Sequence, residues 1–421
     1  MRVLTVVTAL ALTAGSVPAD LKVEMIVPQG EAQKYWPQWR GPSGQGYVNG
    51  SGYPDTWSDT QNVRWRVPVP GSGNSSPIVW GDRLFMATSY DDGQRKSIVA
   101  FSRTDGRKLW ETFAPAAPAE VPHAKNGHAS GTPATDGTRV YAFLGNHGLL
   151  ALDMNGKQVW HASLGAFDAS HGTAGSPLLY KDRVVLYQDQ RTPGGSFVAA
   201  FHAATGKTIW RTERKEQVGW GTPIAIRAGA RDEIIVSSMR RVYAYDPDTG
   251  RELWSAGGNL FEVIPTPVVG DNLVFASSGR AGPTLAIRPG GSGDVTQTHI
   301  VWSAAKGSPF IPSTLVHDGV LYMVNDMQSV ATAYDSRTGE VLWQGRLGEA
   351  ARESFSASPV LVDGKVFFTN DMGETFVLAA GREFKLLHVN RLHARTLASP
   401  ALVDGTWYFR TDKELIAVGR S

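Results

Sequence analysis

Apolar residues at alternate positions mark the first recognisable unit of this chain. Val242 and Ala244 belong to an alternating segment that runs into Asp246-Pro-Asp-Thr-Gly250, and a second short segment ends on Trp254. The pattern predicts two strands joined by a tight turn, with Gly250 supplying a positive φ and Asp246 bonding the turn backbone. Ala333-Tyr-Asp-Ser-Arg-Thr-Gly-Glu-Val-Leu-Trp343 repeats every fixed position. Ala200 to Trp210 has His202 for the Asp, Ala100 to Trp110 keeps Gly106 and the Trp, Ala151 to Trp160 is one residue shorter, and Ala286 to Trp302 carries a Gly-rich insertion. Indoles therefore return at 65, 110, 160, 210, 254, 302 and 343, every 41 to 50 residues. That period, with short strands and no helical spacing, predicts an all-β propeller.

A second repeat counts the blades. Ser76-Pro77, Thr132-Pro133, Ser176-Pro177, Thr222-Pro223, Thr266-Pro267, Ser358-Pro359 and Ser399-Pro400 each open an apolar run, and Ser313-Thr314 opens another without the proline. Proline has no N–H to give a ladder, so it suits the start of an edge strand, which is what the innermost strand of a blade is. Eight openings predict eight four-stranded blades. The last, after Leu415-Ile-Ala-Val418, lacks a fourth strand, while Asn62-Val-Arg-Trp-Arg66 holds an indole with no blade of its own. The N-terminal strand is thus expected to complete the C-terminal blade and close the ring. Blade seven is the weakest copy, with Gly381-Arg-Glu-Phe-Lys-Leu-Leu-His388 in place of turn and Trp.

Composition narrows the setting. In 421 residues with a formal charge of +2 and 19% charged residues there is no basic run, so nucleic acid is not an expected partner. Zero cysteines exclude disulfides and thiolate metal sites. Residues 1–19 read as a cleavable signal peptide, with Val3 to Ala14 as the apolar stretch and Val17-Pro-Ala19 as the cleavage site, too short for a transmembrane segment. A periplasmic or secreted monomer is expected. Residues 20–61, with Trp36-Pro-Gln-Trp-Arg-Gly41, read as an irregular leader anchored on a propeller of residues 62–421.

The Ala-x-Asp-x-x-Thr-Gly-x-x-x-Trp unit resembles the tryptophan-docking motif of the pyrroloquinoline-quinone (PQQ) repeat superfamily of eight-bladed propellers. The resemblance implies that Trp65, Trp110, Trp160, Trp210, Trp254, Trp302 and Trp343 are structural, each stacked between neighbouring blades. From Trp36 onward the text is also similar to secreted bacterial PQQ-binding-like propellers, and in plan to the propeller lipoprotein of the outer-membrane assembly machinery. That lipoprotein is anchored through a cysteine, which this chain lacks. Quinoprotein dehydrogenases of the fold hold PQQ with a vicinal disulfide, a stacking Trp and a calcium bound by acidic and amide groups, and use an Asp base. This chain has no such disulfide and is expected to lack the long loops that roof their channel.

Candidate chemistry gathers in two loop sets that share one face of a propeller. The loops leading into the innermost strands carry Asn74, His128, His171, Trp220 and Arg395. The loops joining the second and third strands carry His147, Asp189, Arg280, Asn325, Asp326, Asn370, Asp371 and Arg410. His128, His147 and His171 could converge on a metal or an anion, or cap loop backbones. Asp326 and Asp371, at equivalent places after Asn325 and Asn370, could bind calcium, act as acid and base, or make the turn. Trp220 falls outside the repeat register and is the candidate stacking platform. Gly290-Gly-Ser-Gly-Asp294 has no following Gly-Lys-Ser/Thr and reads as a loop. The expectation is a non-catalytic binding or scaffold propeller that takes a ligand or protein partner at this face, with no cofactor assigned. The alternative is a PQQ- and calcium-dependent oxidoreductase acting on an alcohol or sugar.

Overall fold

The computed structural model describes residues 21–280, 282–305, 307–350 and 354–420, so the signal-peptide expectation for 1–19 lies outside the described residues. Among the described residues the strands form eight antiparallel blades in a ring. Blade one comprises Ile78–Trp80, Arg83–Tyr90, Arg95–Ser102 and Lys108–Phe113, and blade four is built on Ile224–Ala228, Arg231–Ser237, Arg241–Tyr245 and Glu252–Gly257. Blade eight takes Ala401–Val403, Thr406–Arg410 and Glu414–Gly419 from the C-terminus and Val63–Pro68 from the N-terminal side. Ring closure thus follows the reading from sequence. No helix among the described residues is long and apolar enough to cross a membrane.

The repeat unit has a geometric cause. In seven blades an alanine of the third strand faces the repeat Trp of the fourth across a register shift, as in Ala244 opposite Trp254 and Ala333 opposite Trp343. The extra residue of the bulge turns the indole out of its own sheet toward the next blade. Trp110 Nε1–H donates to Met154 O at 3.0 Å, Trp160 to Ala203 O at 2.8 Å and Trp210 to Pro247 O at 3.0 Å, each a carbonyl in the following blade's turn. The turn glycine lies on the ring: a β-carbon on Gly250 would come within 2.4 Å of Trp210. Gly250 therefore meets two demands, a φ of 72° and close approach to an aromatic face.

Trp254, in the most regular copy, departs from this scheme. The Gly-rich insertion expected as a loop folds back so that Gly293–Asp294 pairs in parallel with Trp254 and Ser255 and covers the indole. Trp254 is fully buried, and its N–H goes to Glu233 Oε2 at 2.8 Å instead of to the next blade. Arg231 pairs with the other oxygen of Glu233 at 2.6 Å and donates to Gly291 O, tying the insertion to the carboxylate. In blade seven His388 stands opposite Val377 where other blades have Trp, and Phe384 packs edge-on against Trp343 at 5.4 Å.

Candidate functional site

The openings of the innermost strands build a ring of hydroxyls around the axis. Each Ser or Thr oxygen accepts the backbone N–H of its counterpart one blade earlier: Ser76 N to Thr132, Thr132 N to Ser176, Ser176 N to Thr222, Thr222 N to Thr266, Thr266 N to Ser313, Ser313 N to Ser358 and Ser358 N to Ser399, at 2.9 to 3.4 Å. The eighth place differs. Ser76 Oγ is buried and has no partner among the described residues. At that seam the Arg410 guanidinium reaches Ser75 O at 3.0 Å and Ala87 O at 2.6 Å.

One end of the channel is plugged by the segment before the first blade. Trp36 exchanges backbone hydrogen bonds with Val79, Pro37 O accepts from Thr135 N, Arg40 donates to Thr314 O, and Leu361 N donates to Gly46 O. Val79, Thr135 and Leu361 each lie three residues past the ring, so this segment sits on the side away from the loops that lead into the innermost strands. Trp39 Nε1–H donates to Thr266 Oγ1 at 3.1 Å from that side. Arg40 is buried so completely that its guanidinium is pushed down to about 9.

The other end is roofed, contrary to the expectation that no long loop covers the channel. Segment 114–133, between blades one and two, arches over the mouth. His123 N donates to His171 O, Asn126 Nδ2 to the same carbonyl at 2.7 Å, and Asn74 Nδ2 holds Lys125 O and Asn126 O at 2.7 and 2.9 Å. Lys125 Nζ reaches Asp371 Oδ2 of blade seven at 2.8 Å. Glu120 roots the strap: it pairs with the buried Lys96 at 2.6 Å and accepts from Asn146 N and Thr173 Oγ1. Between strap and plug lies a cavity of about 180 Å³, with Trp39, Lys125, Trp220, Arg280 and Phe310 in its walls beside seven ring residues.

The predicted site residues divide. Asn74, His171, Trp220 and Arg280 line the cavity. Trp220 is 8% exposed, its N–H bonds Ser170 O and Gly172 O, and His171 lies against one face at 6.1 Å. Arg280 pairs with Glu262 at 2.6 Å above the Phe310 ring. Asp326 accepts Phe310 N at 2.7 Å through one oxygen, while the other is buried with no partner among the described residues. Burial pushes this carboxyl up to about 6, with the Phe310 N–H and Lys125 pulling it down and Asp371 adding to the rise. Asn325 and Asn370 make turns, accepting Met327 N and Met372 N.

The remaining candidates lie elsewhere. His128 and His147 sit by the Lys96–Glu120 pair, where burial and the nearby ammonium lower both imidazoles, away from the His123–His171 contact at 5.5 Å. The three predicted histidines are therefore not one cluster, and among the described residues no three His, Asp or Glu side chains are placed to hold a metal. Asp189 is a buried partner of Arg214, at 2.9 Å, which is enclosed by Tyr187, Tyr243 and Tyr245. Arg410 belongs to the seam described above, and Arg395 is exposed with its carbonyl accepting Asp412 N. Sequence order places these residues on the correct loops but does not say whether a side chain turns toward the axis or into the joint between blades. His123, Lys125 and Glu262 were missed. The signal for the first two was the interval from Trp110 to Thr132, the longest between a repeat Trp and the next opening.

The residues present do not fit PQQ with calcium. The cavity is below the roughly 300–1,000 Å³ usual for a small-molecule site. The lysine and arginine in its walls, Lys125 and Arg280, are already paired with Asp371 and Glu262, leaving no unpaired ammonium or guanidinium among the described lining residues for a polycarboxylate. His171 covers one face of Trp220. Calcium takes six to eight oxygens, and Asp371 is instead neutralised by Lys125.

A family model described as outer membrane protein assembly factor BamB matches residues 56–192, 94–345 and 194–421. Tetrathionate hydrolase of Acidithiobacillus ferrooxidans is 21% identical over 315 residues, 74% of this chain and 53% of that protein, so the chain spans about half the length of that relative. Outer membrane protein assembly factor BamB of Burkholderia pseudomallei is 25% identical over 300 residues, 68% of this chain and 69% of the relative. Among solved structures, the quinohemoprotein alcohol dehydrogenase of Comamonas testosteroni superposes with a TM-score of 0.68 at 12% identity, covering 93% of this chain and 81% of its own, which shows a shared fold. With eight blades, the repeated Trp and the match from residue 56 to the C-terminal end, the chain belongs to the PQQ-repeat propeller family described as outer membrane protein assembly factor BamB.

Proposed function

We propose that this chain is an exported, non-catalytic binding propeller that presents its roofed face to a protein partner. One observation carries the reading. Val121, Phe261 and Met372, from three different loops of that face, are 86%, 67% and 73% exposed, and Leu260 beside Phe261 is 47% exposed. Large apolar side chains at loop tips around a polar centre are the composition of a protein-binding patch. The groups capable of chemistry beneath them are held by protein partners: Lys125 by Asp371, Arg280 by Glu262, and one oxygen of Asp326 by a backbone N–H. The repeated indoles serve as struts between blades and residues 20–61 as an anchor for the ring. The relative's name, an outer membrane protein assembly factor, supports a partner in the cell envelope and a periplasmic place of work for a chain exported through residues 1–19.

The test is photo-crosslinking in the native host, with a photoreactive residue at Phe261 or Met372 and, as control, at Asp363 in a turn on the plugged side. A discrete protein adduct from the first two positions and none from the third is expected. Adducts from Asp363 alone would place the partner on the wrong face and overturn the reading.

A further inference from the structure

We propose that the hydroxyl ring at the waist of the channel is a binding site for a small monovalent anion. The argument begins with hydrogen-bond capacity. A Ser or Thr hydroxyl has one proton to donate and two lone pairs. In the ring, one lone pair of each of seven hydroxyls takes the N–H of the preceding blade. No ring hydroxyl donates its proton to an acceptor among the described residues. Seven of the ring residues line the same cavity, so their unassigned protons border one space.

Ser76 supplies independent support. It is 3% exposed, borders the cavity, and its oxygen has no partner among the described residues, unlike every other member of the ring. A buried hydroxyl left without any hydrogen bond is costly, so it calls for an occupant. An occupant that accepts from more than two of these hydroxyls at once is an anion, since a water has only two lone pairs. Its charge is limited by the mouth, where Lys125 balances Asp371 and Arg280 balances Glu262. With no surplus positive charge among the described residues of the mouth, where the Asp326 carboxyl also faces Lys125, a polyanion would be desolvated without compensation, whereas one negative charge shared among many hydroxyl donors is not. The shared chemistry is that of a halide or the carboxylate end of a small acid. This site is separate from the protein-binding face proposed above and does not depend on it.

The asymmetry of the ring supplies the test. Ser76→Ala removes a cavity hydroxyl without removing an interblade hydrogen bond, whereas Ser358→Ala removes both. Thermal unfolding of the full chain is followed while potassium gluconate, much bulkier than either test anion, is replaced by bromide or acetate at constant ionic strength. Crystals grown in bromide locate the ion by anomalous scattering. The expected result is a saturable rise in melting temperature with one of the two anions, with the tighter naming the occupant, and an anomalous peak within hydrogen-bonding distance of at least two ring hydroxyls. Ser76→Ala is expected to weaken binding about tenfold, the equivalent of one charge-assisted hydrogen bond, while melting like the parent in gluconate. Ser358→Ala is expected to melt lower in gluconate itself. No saturable shift with either anion, binding unchanged in Ser76→Ala, or bromide absent from the cavity of crystals grown in it overturns the proposal.

Discussion

Trp65 lies directly opposite Ala417, so a strand from the N-terminal side supplies the indole that the C-terminal blade lacks. Its N–H continues to Arg103 O of blade one at 3.2 Å, and a β-carbon on Gly106 would come within 2.8 Å of its ring. One residue thus completes blade eight and joins it to blade one. The same seam lacks the hydroxyl link made elsewhere, and Arg410 bridges it instead. Burial without a paired carboxylate pushes that guanidinium down to about 9.

Closure predicts the outcome of truncation. Deleting residues 20–68 removes the fourth strand of blade eight and the plug, exposing sheet edges on both sides of the seam. The expected outcome is loss of a single cooperative calorimetric transition. A truncated chain that melts as sharply and as high as the full one contradicts ring closure.

Trp254 is expected to be among the most sensitive residues. Trp254→Ala removes a fully buried ring and costs about 3–5 kcal/mol, measured by urea unfolding. Trp254→Phe retains most of the ring but leaves Glu233 Oε2 without its donor, costing about 1–3 kcal/mol. Trp220→Ala, which the sequence alone would rank as mild, is expected to be destabilising too. Its ring is buried, and from the loop before blade four its N–H serves two carbonyls of the loop before blade three.

Asp326 makes stability depend on pH in a defined window. Its carboxyl keeps its proton up to about 6 in the folded protein against an ordinary value of 3.8. Between those values the folded state holds the extra proton, so stability falls as pH rises through the window and stays lower above it. Asp326→Asn keeps an oxygen for Phe310 N–H and removes the charge. It is expected to match the parent near pH 4 and exceed it by on the order of 2 kcal/mol at pH 7.5. Equal stability of the two at both pH values contradicts this assignment.

The architecture was readable because each blade repeats one local solution. Ala, Gly and Trp at fixed spacing encode a bulge, a left-handed turn and an interblade stack, so Trp65 without a blade and blade eight without a fourth strand pointed to each other. The Ser/Thr-Pro openings were recognised through proline, and what the hydroxyls do was missed, because each partner lies a full blade away. The site was less legible for the same reason. Asp189 and Arg410 stand on loops of the expected face yet turn into the joints between blades, toward Arg214 and toward Ser75 and Ala87. The Lys125–Asp371 pair joins the strap to a loop of blade seven, residues far apart in the chain, a relation that no local pattern carries.

The central claim, that this family member binds without running quinone chemistry, is tested most directly by a reconstitution assay. PQQ and calcium are titrated into the purified chain, and dye reduction is followed with alcohols and sugars as donors, with Asp371→Asn alongside. The account predicts no saturable, substrate-dependent reduction, because the cavity is small, its cations are paired and one face of Trp220 is covered. Saturable turnover that requires PQQ and disappears in Asp371→Asn would contradict it.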